Sequence, residues 1–420
     1  MFENQYTIAE TFVGAGGSHL GFFKNGFKTV YLNDFCSECV RTLNYNFPIL
    51  SKVIECEDIK NISKEKISQN ITSLDVLFGG VVCKGFSLAG ERNLADERNY
   101  LYLEQLKLVE KLNPKISIIE NVPTFFTSEV LKREHIPNFQ NEITILWRNI
   151  SKLKHQKATK RKKNLDFSEE NKILEILKLK RKKFVKSLKQ KNVLISVFQD
   201  LKQRYEKLGY RIYYHILNSV WYGSATDRNR LIIVAIKNDI QKEYKFPIIT
   251  HFEYDNPIGK KFLPIVKNPK PYKTVADALA LIDYSNKQDL DNKPMIHKQR
   301  TVSRFSYIPE GGSVKSVMNI LPQNLKLSVF HSRGCNRRLS RNKPSMTLVP
   351  GHSAFPIHPT KNRSITVREA ACITGFPIDY KFFGSHTNRC EQVGNAVPIE
   401  LSTAIAFSIK TFLDEINDRK

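Results

Sequence analysis

A cysteine follows a short apolar run and lies in a loop that is interrupted by glycines. Cys83 belongs to the segment DVLFGGVVCKGFSLAGERN, in which Val76–Phe78 is predicted to be a buried strand. Open α/β sheets bind ligands at the carboxyl ends of their parallel strands, so this thiol is placed where chemistry occurs. A thiolate there could act as a nucleophile in covalent catalysis. Because most single cysteines are inert core residues, this interpretation depends on other residues.

A carboxylate and two arginines lie beside two further apolar runs. Glu120 and Asn121 follow the predicted strand Ile116–Ile119 in ISIIENVPTFF. A desolvated carboxyl group near a thiol can act as an acid or as a hydrogen-bond partner. Arg228 and Arg230 precede an apolar strand in WYGSATDRNRLIIVAI, and their spacing of two directs both side chains to one face, where they could hold an anionic group. The alternative for Glu120 is a loop carboxylate whose hydrogen bonds are already satisfied, and the alternative for the two arginines is a pair of surface salt bridges.

A glycine-rich turn near the start of the chain has the features of a ligand-binding loop. Gly14, Gly16 and Gly17 in FVGAGGSHLG follow a predicted strand and open a helix, so backbone and ligand can approach closely. Asp34 lies about twenty residues further on, where it could accept hydrogen bonds from a ribose diol. The glycine spacing differs from the dinucleotide pattern G-x-G-x-x-G, which favours an adenosyl ligand over NAD. A purely structural turn is the alternative.

Short strands and helices alternate at both ends of the chain, which predicts a parallel, doubly wound α/β sheet. The predicted strands and helices are Tyr6–Phe12, Ser18–Asn25, Thr29–Leu32, Glu38–Asn46, Val76–Phe78, Ile116–Ile119, Val197–Leu208, Arg211–Leu217, Leu231–Ile236, Val367–Thr374 and Ile399–Asp414.

Two regions interrupt this alternation. From about 129 to 192 the chain is a charge-dense, basic helical segment, which is either a solvated helix pair or a nonspecific contact to phosphates. From about 237 to 360 it breaks into short segments rich in proline and glycine, such as FPIITHFEYDNPIGKKFLP, which indicates a second domain.

The composition favours a protein that binds nucleic acid. The formal net charge of +25 produces a positive field that attracts polyanions, although a generally lysine-rich proteome would also raise it. No long apolar run and no export signal are apparent, so we expect a cytoplasmic protein without a membrane association. The seven scattered cysteines suit a reducing compartment. Cys36 and Cys39 form a C-x-x-C pair without a second pair at zinc spacing, so we expect no metal.

In chain order, these segments resemble the DNA (cytosine-5) methyltransferases of bacterial restriction-modification systems. TFVGAGGSHLGF resembles the cofactor loop of that family, LND its ribose-binding acid and EDI its adenine contact. GGVVCKGFSLAGER resembles the nucleophile loop, DERNYL the following helix start, ENV the catalytic carboxylate strand and TDRNR the arginine strand. RSITVREAACITGFP and QVGNAVP resemble the two late motifs. The resemblance runs from the first strand to the last helix, except for the basic insert.

The resemblance implies a fold and a set of site residues. It implies a doubly wound S-adenosylmethionine-dependent methyltransferase (Rossmann-like) domain formed by 1–237 and 385–420, with a smaller, irregular target-recognition domain at 238–384. Cys83, Glu120 and Arg230 would act on the base, with Arg228 close by. The residues implied around S-adenosylmethionine are Phe12, Gly14, Gly17, Asp34, Phe35, Asp58, Ile59, Leu101, Asn395 and Val397.

The implied reaction is methyl transfer from S-adenosylmethionine to C5 of cytosine within a short sequence of double-stranded DNA. The Cys83 thiolate would add to C6, protonated Glu120 would donate to N3 and Arg230 would bind O2. The target base must leave the duplex to reach these groups, and Gly85 and Gly90 would let the loop close over it. The resemblance further implies a monomer, with a restriction endonuclease of the same target sequence as a candidate partner.

The chain departs from the family at two positions. Val81-Val82-Cys83-Lys84 replaces the usual Pro-Pro-Cys-Gln, and Thr226 replaces the Gln before the arginines. Without prolines the approach to the thiol is less constrained, while the Lys84 cation favours the thiolate. We therefore expect an active enzyme with altered loop behaviour. The alternatives are a weakly active or non-catalytic DNA-binding relative and a tRNA cytosine-5 methyltransferase, whose Cys-Phe-Thr signature this chain lacks.

Overall fold

The structure is a computed structural model that describes residues 5–82, 93–94, 96–163, 165–252, 264–327, 334–351 and 355–417, without the side chains of Lys66 and Lys162. The predicted nucleophile Cys83 and its neighbours Lys84, Gly85 and Gly90 lie outside the described residues. The described strands are β1 (Thr7–Thr11), β2 (Lys28–Asp34), β3 (Ile54–Cys56), β4 (Val76–Gly79), β5 (Ile116–Asn121), β6 (Glu129–Leu131), β7 (Leu194–Ser196), β8 (Tyr210–Asn218), β9 (Thr226–Asp227), β10 (Asn229–Lys237), β11 (Ile249–Phe252), β12 (Ile265–Pro271) and β13 (Ser345–Met346). The described α-helices are α1 (Gly17–Lys24), α2 (Ser37–Asn46), α3 (Lys64–Asn70), α4 (Tyr102–Leu112), α5 (Ile136–Lys162), α6 (Ser168–Gln190), α7 (Val197–Lys207), α8 (Val275–Leu279), α9 (Gln299–Ser306), α10 (Val367–Thr374), α11 (His386–Asn395) and α12 (Ile399–Asn417).

Seven strands form the central sheet in the order β3-β2-β1-β4-β5-β10-β8. β1 pairs in parallel with β2 on one side and with β4 on the other, and the pairs β2–β3 and β4–β5 are also parallel. The strand order therefore reverses between β1 and β4, which places a topological switch point at their carboxyl ends. The predicted doubly wound α/β fold is confirmed.

The strands at the centre of the sheet are buried along almost their whole length. Every residue of β4 and β5 is buried, and so are Arg230–Ile236 in β10. Strands covered on both faces read as continuous apolar runs, which is why the sequence revealed them. β2 and β5 extend two residues beyond the carboxyl ends of the predicted runs, so that the polar residues Asp34, Glu120 and Asn121 lie at the ends of these strands.

The two ends of the chain meet where α1 packs against α12. The Ser402 hydroxyl of α12 donates a hydrogen bond of 2.9 Å to the carbonyl oxygen of Gly17. A Cβ atom at Gly21 would overlap the backbone of Ser402 and Thr403, so glycine is required for this approach. Burial of Leu401, Ile405 and the rest of the apolar face of α12 then holds the helix against the sheet.

The chain divides into two compact units, one of residues 1–80, 111–120 and 213–420 and the other of residues 81–110 and 121–212. The first unit contains the cofactor loop and the arginine strand. Its boundaries do not coincide with 237/238 or 384/385, and the assignment of 238–384 as a target-recognition domain stays a prediction.

The basic insert forms most of the second unit. It begins with a strand rather than a helix, because β6 pairs in antiparallel register with β7. The long helices α5 and α6 then pack as a hairpin around an apolar cluster that includes Trp147, Ile150, Leu174 and Leu188. The predicted helical character therefore applies to Ile136–Lys162 and Ser168–Gln190.

Region 238–384 contains short elements joined by irregular chain, and one buried carboxylate organises its end. Glu369 is fully buried, caps α10 by accepting from the backbone N–H of Thr366 at 2.8 Å, and forms a two-point ion pair with Arg363 at 2.7 and 2.8 Å. Burial lowers the pKa of the adjacent His358 to about 4. These residues explain why the segment RSITVREA is locally ordered.

Among the described residues, no single helix is long and apolar enough to cross a membrane. The bent pair α11 and α12 meets that test on length and composition alone, and the apolar residues of α12 are mostly core residues.

Candidate functional site

The glycine-rich loop between β1 and α1 has a left-handed backbone at three positions. Phe12 has φ 54°, Gly14 has φ 56° and Gly16 has φ 86°. Such a conformation is rare for a residue with a side chain, so Phe12 is a point of backbone strain of the kind that occurs at functional sites. A Cβ atom at Gly14 would meet nothing within 4 Å, so open space lies before this backbone.

The same loop contacts the last motif of the chain directly. A Cβ atom at Gly17 would lie 2.6 Å from the carbonyl oxygen of Val397 and 3.0 Å from its nitrogen. The structure therefore brings together Gly17 and Val397, two of the predicted cofactor residues that are 380 positions apart. Asn395, at the end of α11, lies two residues before Val397.

Asp34 is buried at the end of β2 and binds the backbone on both sides of the loop. One carboxylate oxygen accepts from the N–H of Gly14 at 2.8 Å and the other from the N–H of Cys36 at 2.9 Å. Burial raises the pKa of Asp34, and these backbone hydrogen bonds oppose the rise. The predicted acid thus fixes the glycine loop. A carboxylate can accept more hydrogen bonds than these two, so Asp34 can also accept from the hydroxyl groups of a ligand. The neighbouring Phe35 ring is 68% exposed.

The other predicted cofactor residues are Asp58 and Ile59, after β3, and Leu101, before α4. Asp58 follows β3 and accepts from the N–H of Lys60 at 3.0 Å, while Ile59 beside it is buried. Leu101 belongs to the second unit and precedes α4. The contacts of these residues with S-adenosylmethionine stay predictions.

Glu120 and Arg230 form a buried ion pair on neighbouring strands. Glu120 ends β5, Arg230 lies near the start of β10, and Nε of the arginine is 2.6 Å from Oε1 of the glutamate. Each residue is about one-twelfth exposed, at 8%. Burying two charges costs free energy that a well-formed pair must offset, so such a pair points to a role in function as readily as to one in stability. Two predicted catalytic residues are therefore in direct contact.

Arg228 points to a different set of partners although it lies only two residues from Arg230. Its Nη1 donates to the carbonyl oxygen of Gly394 at 2.7 Å, and its Nη2 to that of Asn395 at 3.2 Å. These carbonyls end α11, where the helix dipole favours a cation. A third hydrogen bond, 3.4 Å long, reaches the carbonyl oxygen of Leu348. Arg228 thus ties the arginine strand to the QVGNAVP motif, a role that the sequence did not indicate.

Asn121 has a structural role that sequence reasoning missed. Its side-chain amide donates to the carbonyl oxygen of Val81 at 3.0 Å, and its side-chain oxygen accepts from the N–H of Val122 at 2.9 Å. Val81 lies two residues before Cys83. Asn121 therefore anchors the described start of the predicted nucleophile loop. Its position directly after Glu120 was the available signal.

Thr226, which replaces the usual Gln, begins β9. β9 pairs in parallel with β13, with Thr226 opposite Ser345 and Asp227 opposite Met346. An open cavity of about 360 Å³ adjoins this pair and is lined by Asp227, Gly334, Arg337, Met346, Thr347 and Val349. The described residues contain no group of three or more His, Cys, Asp or Glu side chains that could hold a metal ion.

The strand order and the buried central strands define a doubly wound α/β fold, and solved structures share it. Over nearly its whole length the chain has the same fold as a DNA modification methyltransferase encoded within an Escherichia coli prophage, with a TM-score of 0.62 and 18% identity over 98% of this chain and 100% of that one. The S. pombe Dnmt2 methyltransferase has a TM-score of 0.53 and 14% identity, with coverage of 98% and 100%.

Sequence comparison gives the family. The model of the C-5 cytosine-specific DNA methylases matches residues 6–143 and 184–411. The chain is 27% identical to the Type II methyltransferase M.Eco47II of Escherichia coli over 99% of this chain and 81% of that protein. It is 28% identical to the Type II methyltransferase M.Sau96I of Staphylococcus aureus, with coverage of 98% and 77%. The chain belongs to the C-5 cytosine-specific DNA methylases, and the predicted family and enzyme class are confirmed.

We expect Gly17→Ala to disrupt the cofactor loop. The new methyl group would lie 2.6 Å from the Val397 carbonyl oxygen, and overpacking of this kind costs about 1–3 kcal/mol. Because the loop and Val397 must separate, binding of S-adenosylmethionine should weaken about tenfold or more, measured by isothermal titration calorimetry.

Gly26→Ala is the control for a general loss of stability, because a positive φ strains any side chain at Gly26 while a Cβ atom there meets nothing within 4 Å. It should lose some stability and keep its affinity. Unchanged affinity in Gly17→Ala would contradict the role given to the Gly17–Val397 contact.

Proposed function

We propose that this chain methylates C5 of cytosine within a specific short sequence of double-stranded DNA through a covalent bond between Cys83 and C6 of a flipped base. The observation that carries the proposal is the buried pair of Glu120 and Arg230 on the neighbouring strands β5 and β10. A carboxyl group beside a guanidinium presents two polar groups to one ligand, which suits the N3 and O2 atoms of cytosine once Glu120 has taken up a proton.

The cofactor loop fits S-adenosylmethionine. Open space lies before the Gly14 backbone, a buried acid lies beside it at Asp34, and the exposed ring of Phe35 offers a surface for an adenine. We assign Phe12, Gly14, Gly17, Asp34, Phe35, Asp58, Ile59, Leu101, Asn395 and Val397 to this site. When bound, S-adenosylmethionine supplies an electrophilic methyl group.

The residues of this chain would prepare the base for that methyl group. Cytosine C5 is a poor nucleophile, and addition of the Cys83 thiolate to C6 increases its electron density. Glu120 would donate a proton to N3, and Arg230 would bind O2 while holding Glu120 in place. Once C5 carries the methyl group, loss of the C5 proton to a base eliminates the thiol. Arg228 would act as a positioning residue, since its hydrogen bonds reach the backbone of Gly394 and Asn395.

The altered nucleophile loop is compatible with activity. Proline's fixed φ is missing before Cys83, but the hydrogen bond from Asn121 to the Val81 carbonyl restrains the same stretch of chain. Lys84 adds a cation beside the thiol. We therefore favour an active enzyme over a weakly active or non-catalytic relative.

Sequence recognition would come from region 238–384. The cavity beside β9 and β13 is open and presents Arg337 and Asp227, side chains that can bind base edges. We further propose a cytoplasmic monomer that needs no metal, with a restriction endonuclease of the same target sequence as a candidate partner. RNA is the alternative substrate, since a single-stranded base needs no flipping.

The mechanism predicts a covalent adduct with DNA that contains 5-fluorocytosine at the target site. The fluorine cannot be removed by a base, so the adduct should persist through denaturing electrophoresis. It should require S-adenosylmethionine and be absent in Cys83→Ala.

Cys56→Ala is the matched control, because Cys56 is an exposed thiol outside the proposed loop. It should form the adduct as the parent does. Full methylation of DNA by Cys83→Ala would exclude the covalent mechanism, and an adduct with RNA alone would transfer the proposal to an RNA substrate.

The hairpin of α5 and α6 is a candidate phosphate-binding surface. The family model leaves out residues 144–183, which carry fourteen Lys and Arg against four Asp and Glu, or ten of the 25 net positive charges. Lys172, Lys180 and Lys183 are exposed, and their spacing along α6 directs them to one side of the helix. A surface of this charge binds DNA through counterion release, independent of sequence.

Replacement of Lys172, Lys180 and Lys183 by Gln should weaken DNA binding and flatten its salt dependence. Each lost phosphate contact reduces the slope of log K against log[salt] by about 0.9. Fluorescence anisotropy with an oligonucleotide at several salt concentrations measures the slope.

Replacement of Lys28, Lys207 and Lys245 by Gln removes the same charge from exposed positions outside the hairpin and should change the slope less. Equal slopes in both variants would show that the salt dependence reflects the net charge of the protein and not the hairpin surface. An unchanged slope in the hairpin variant would instead favour a protein partner, for which the exposed Ile176 and Leu179 offer apolar area.

A further inference from the structure

Two cysteines lie together at the start of α2, beside the proposed cofactor site. Cys36 is the N-cap residue of α2, with the extended backbone angles φ −84° and ψ 108°, and Cys39 is the third residue of the helix. A C-x-x-C pair in the first turn of a helix brings its two side chains to the same end of that helix. The two thiols differ in access, because Cys36 is partly exposed and Cys39 is buried.

The surroundings divide the two thiols into a reactive one and a protonated one. A hydrogen bond with the Cys39 thiol lowers the pKa of Cys36 to about 6, although burial opposes the change. The backbone N–H groups of Cys39 and Glu38 act in the same direction as that hydrogen bond. The hydrogen bond with Cys36 and, to a smaller extent, burial raise the pKa of Cys39. A partly exposed thiolate beside a buried thiol is the arrangement of a reactive dithiol.

We propose that Cys36 and Cys39 form a redox-active dithiol, which a low-molecular-weight disulfide such as oxidised glutathione converts into an intramolecular disulfide, and that this disulfide weakens cofactor binding. Only the last clause rests on the proposed function. The mechanism proposed above gives these thiols no role.

The chemistry is ordinary thiol–disulfide exchange. The Cys36 thiolate attacks one sulfur of oxidised glutathione, which forms a mixed disulfide and releases one glutathione thiolate. Cys39 loses its proton and attacks Sγ of Cys36, which releases the second glutathione thiolate. Two electrons and the Cys39 proton leave the protein, and one molecule of oxidised glutathione becomes two of reduced glutathione, one as the thiol and one as the thiolate.

The link to the cofactor site is a short series of hydrogen bonds. The Cys36 N–H donates to one oxygen of Asp34 at 2.9 Å, and the other oxygen of Asp34 accepts from the Gly14 N–H at 2.8 Å. A disulfide has strict dihedral preferences, so we infer that its closure shifts Cys36, whose backbone N–H holds Asp34. Movement of the Cys36 N–H would release Asp34 and, with it, the glycine loop.

A metal is a less suitable partner for this pair than an oxidant. Stable thiolate sites for zinc use four ligands, and the part of the chain that the structure describes offers no third His, Cys, Asp or Glu at the right distance. Cys56 is the one competing thiol to test, since it is exposed and its Sγ lies 3.9 Å from the carbonyl oxygen of Phe35.

The experiment uses the full chain with Cys83→Ala, so that the proposed nucleophile does not react. The protein is equilibrated with a series of ratios of oxidised to reduced glutathione, alkylated and digested, and the disulfides are mapped by mass spectrometry. In parallel, calorimetry measures binding of S-adenosylmethionine before and after treatment with dithiothreitol. We expect a Cys36–Cys39 disulfide, a loss of affinity of about tenfold or more, and full recovery on reduction.

Cys36→Ser and Cys39→Ser should each bind S-adenosylmethionine with the same affinity under oxidising and reducing conditions. Cys56→Ser should behave as the parent. Circular dichroism verifies that each variant is folded. The dithiol is refuted if Cys36 and Cys39 stay reduced, if Cys36 only retains glutathione, or if Cys36 pairs with Cys56. A mapped disulfide without a change in affinity refutes the link to the cofactor site. If the reduced protein does not bind S-adenosylmethionine, the proposed cofactor site fails while the disulfide map still decides the dithiol.

Discussion

The close contact between α1 and α12 is the constraint on which the proposed site depends. Gly17 lies against the backbone of Val397, and the Ser402 hydroxyl donates to the Gly17 carbonyl oxygen. The first and last motifs of the chain therefore pack together at one side of the proposed cofactor site. Asp34 then fixes the glycine loop from the other side by accepting from Gly14. Any side chain at Gly17 would separate these parts. The cofactor loop is therefore a product of long-range packing as much as of its own glycines.

The buried charges give the site its chemical character. Arg230 pairs with Glu120, while Arg228, two residues away, donates to backbone carbonyls at the end of α11 and near β13. One arginine can thus serve a ligand while the other holds together the strand, the QVGNAVP motif and region 238–384. Cys36 also combines two roles, because its backbone N–H binds Asp34 while its side chain belongs to the proposed dithiol.

Most of the fold could be predicted from the sequence, because the strands of a parallel sheet are apolar throughout and end in polar residues. The predicted strands around Val76, Ile116 and Ile232 and the helices α10 and α12 lie where the sequence placed them. The contact between Glu120 and Arg230 follows only from the order β5-β10, which local patterns do not encode. The roles of Arg228 and Asn121 were missed for the same reason: each depends on a backbone carbonyl from a distant segment.

The family and the doubly wound fold are established, and the central claim that remains is specific methylation of cytosine in DNA through Cys83. Bisulfite sequencing of DNA from cells that express the chain, beside cells that express Cys83→Ala, tests it most directly. The account predicts methylated cytosines within one short sequence, and none in the variant. Unmodified DNA from cells that contain folded protein able to bind S-adenosylmethionine, or methylation that persists in Cys83→Ala, would contradict it.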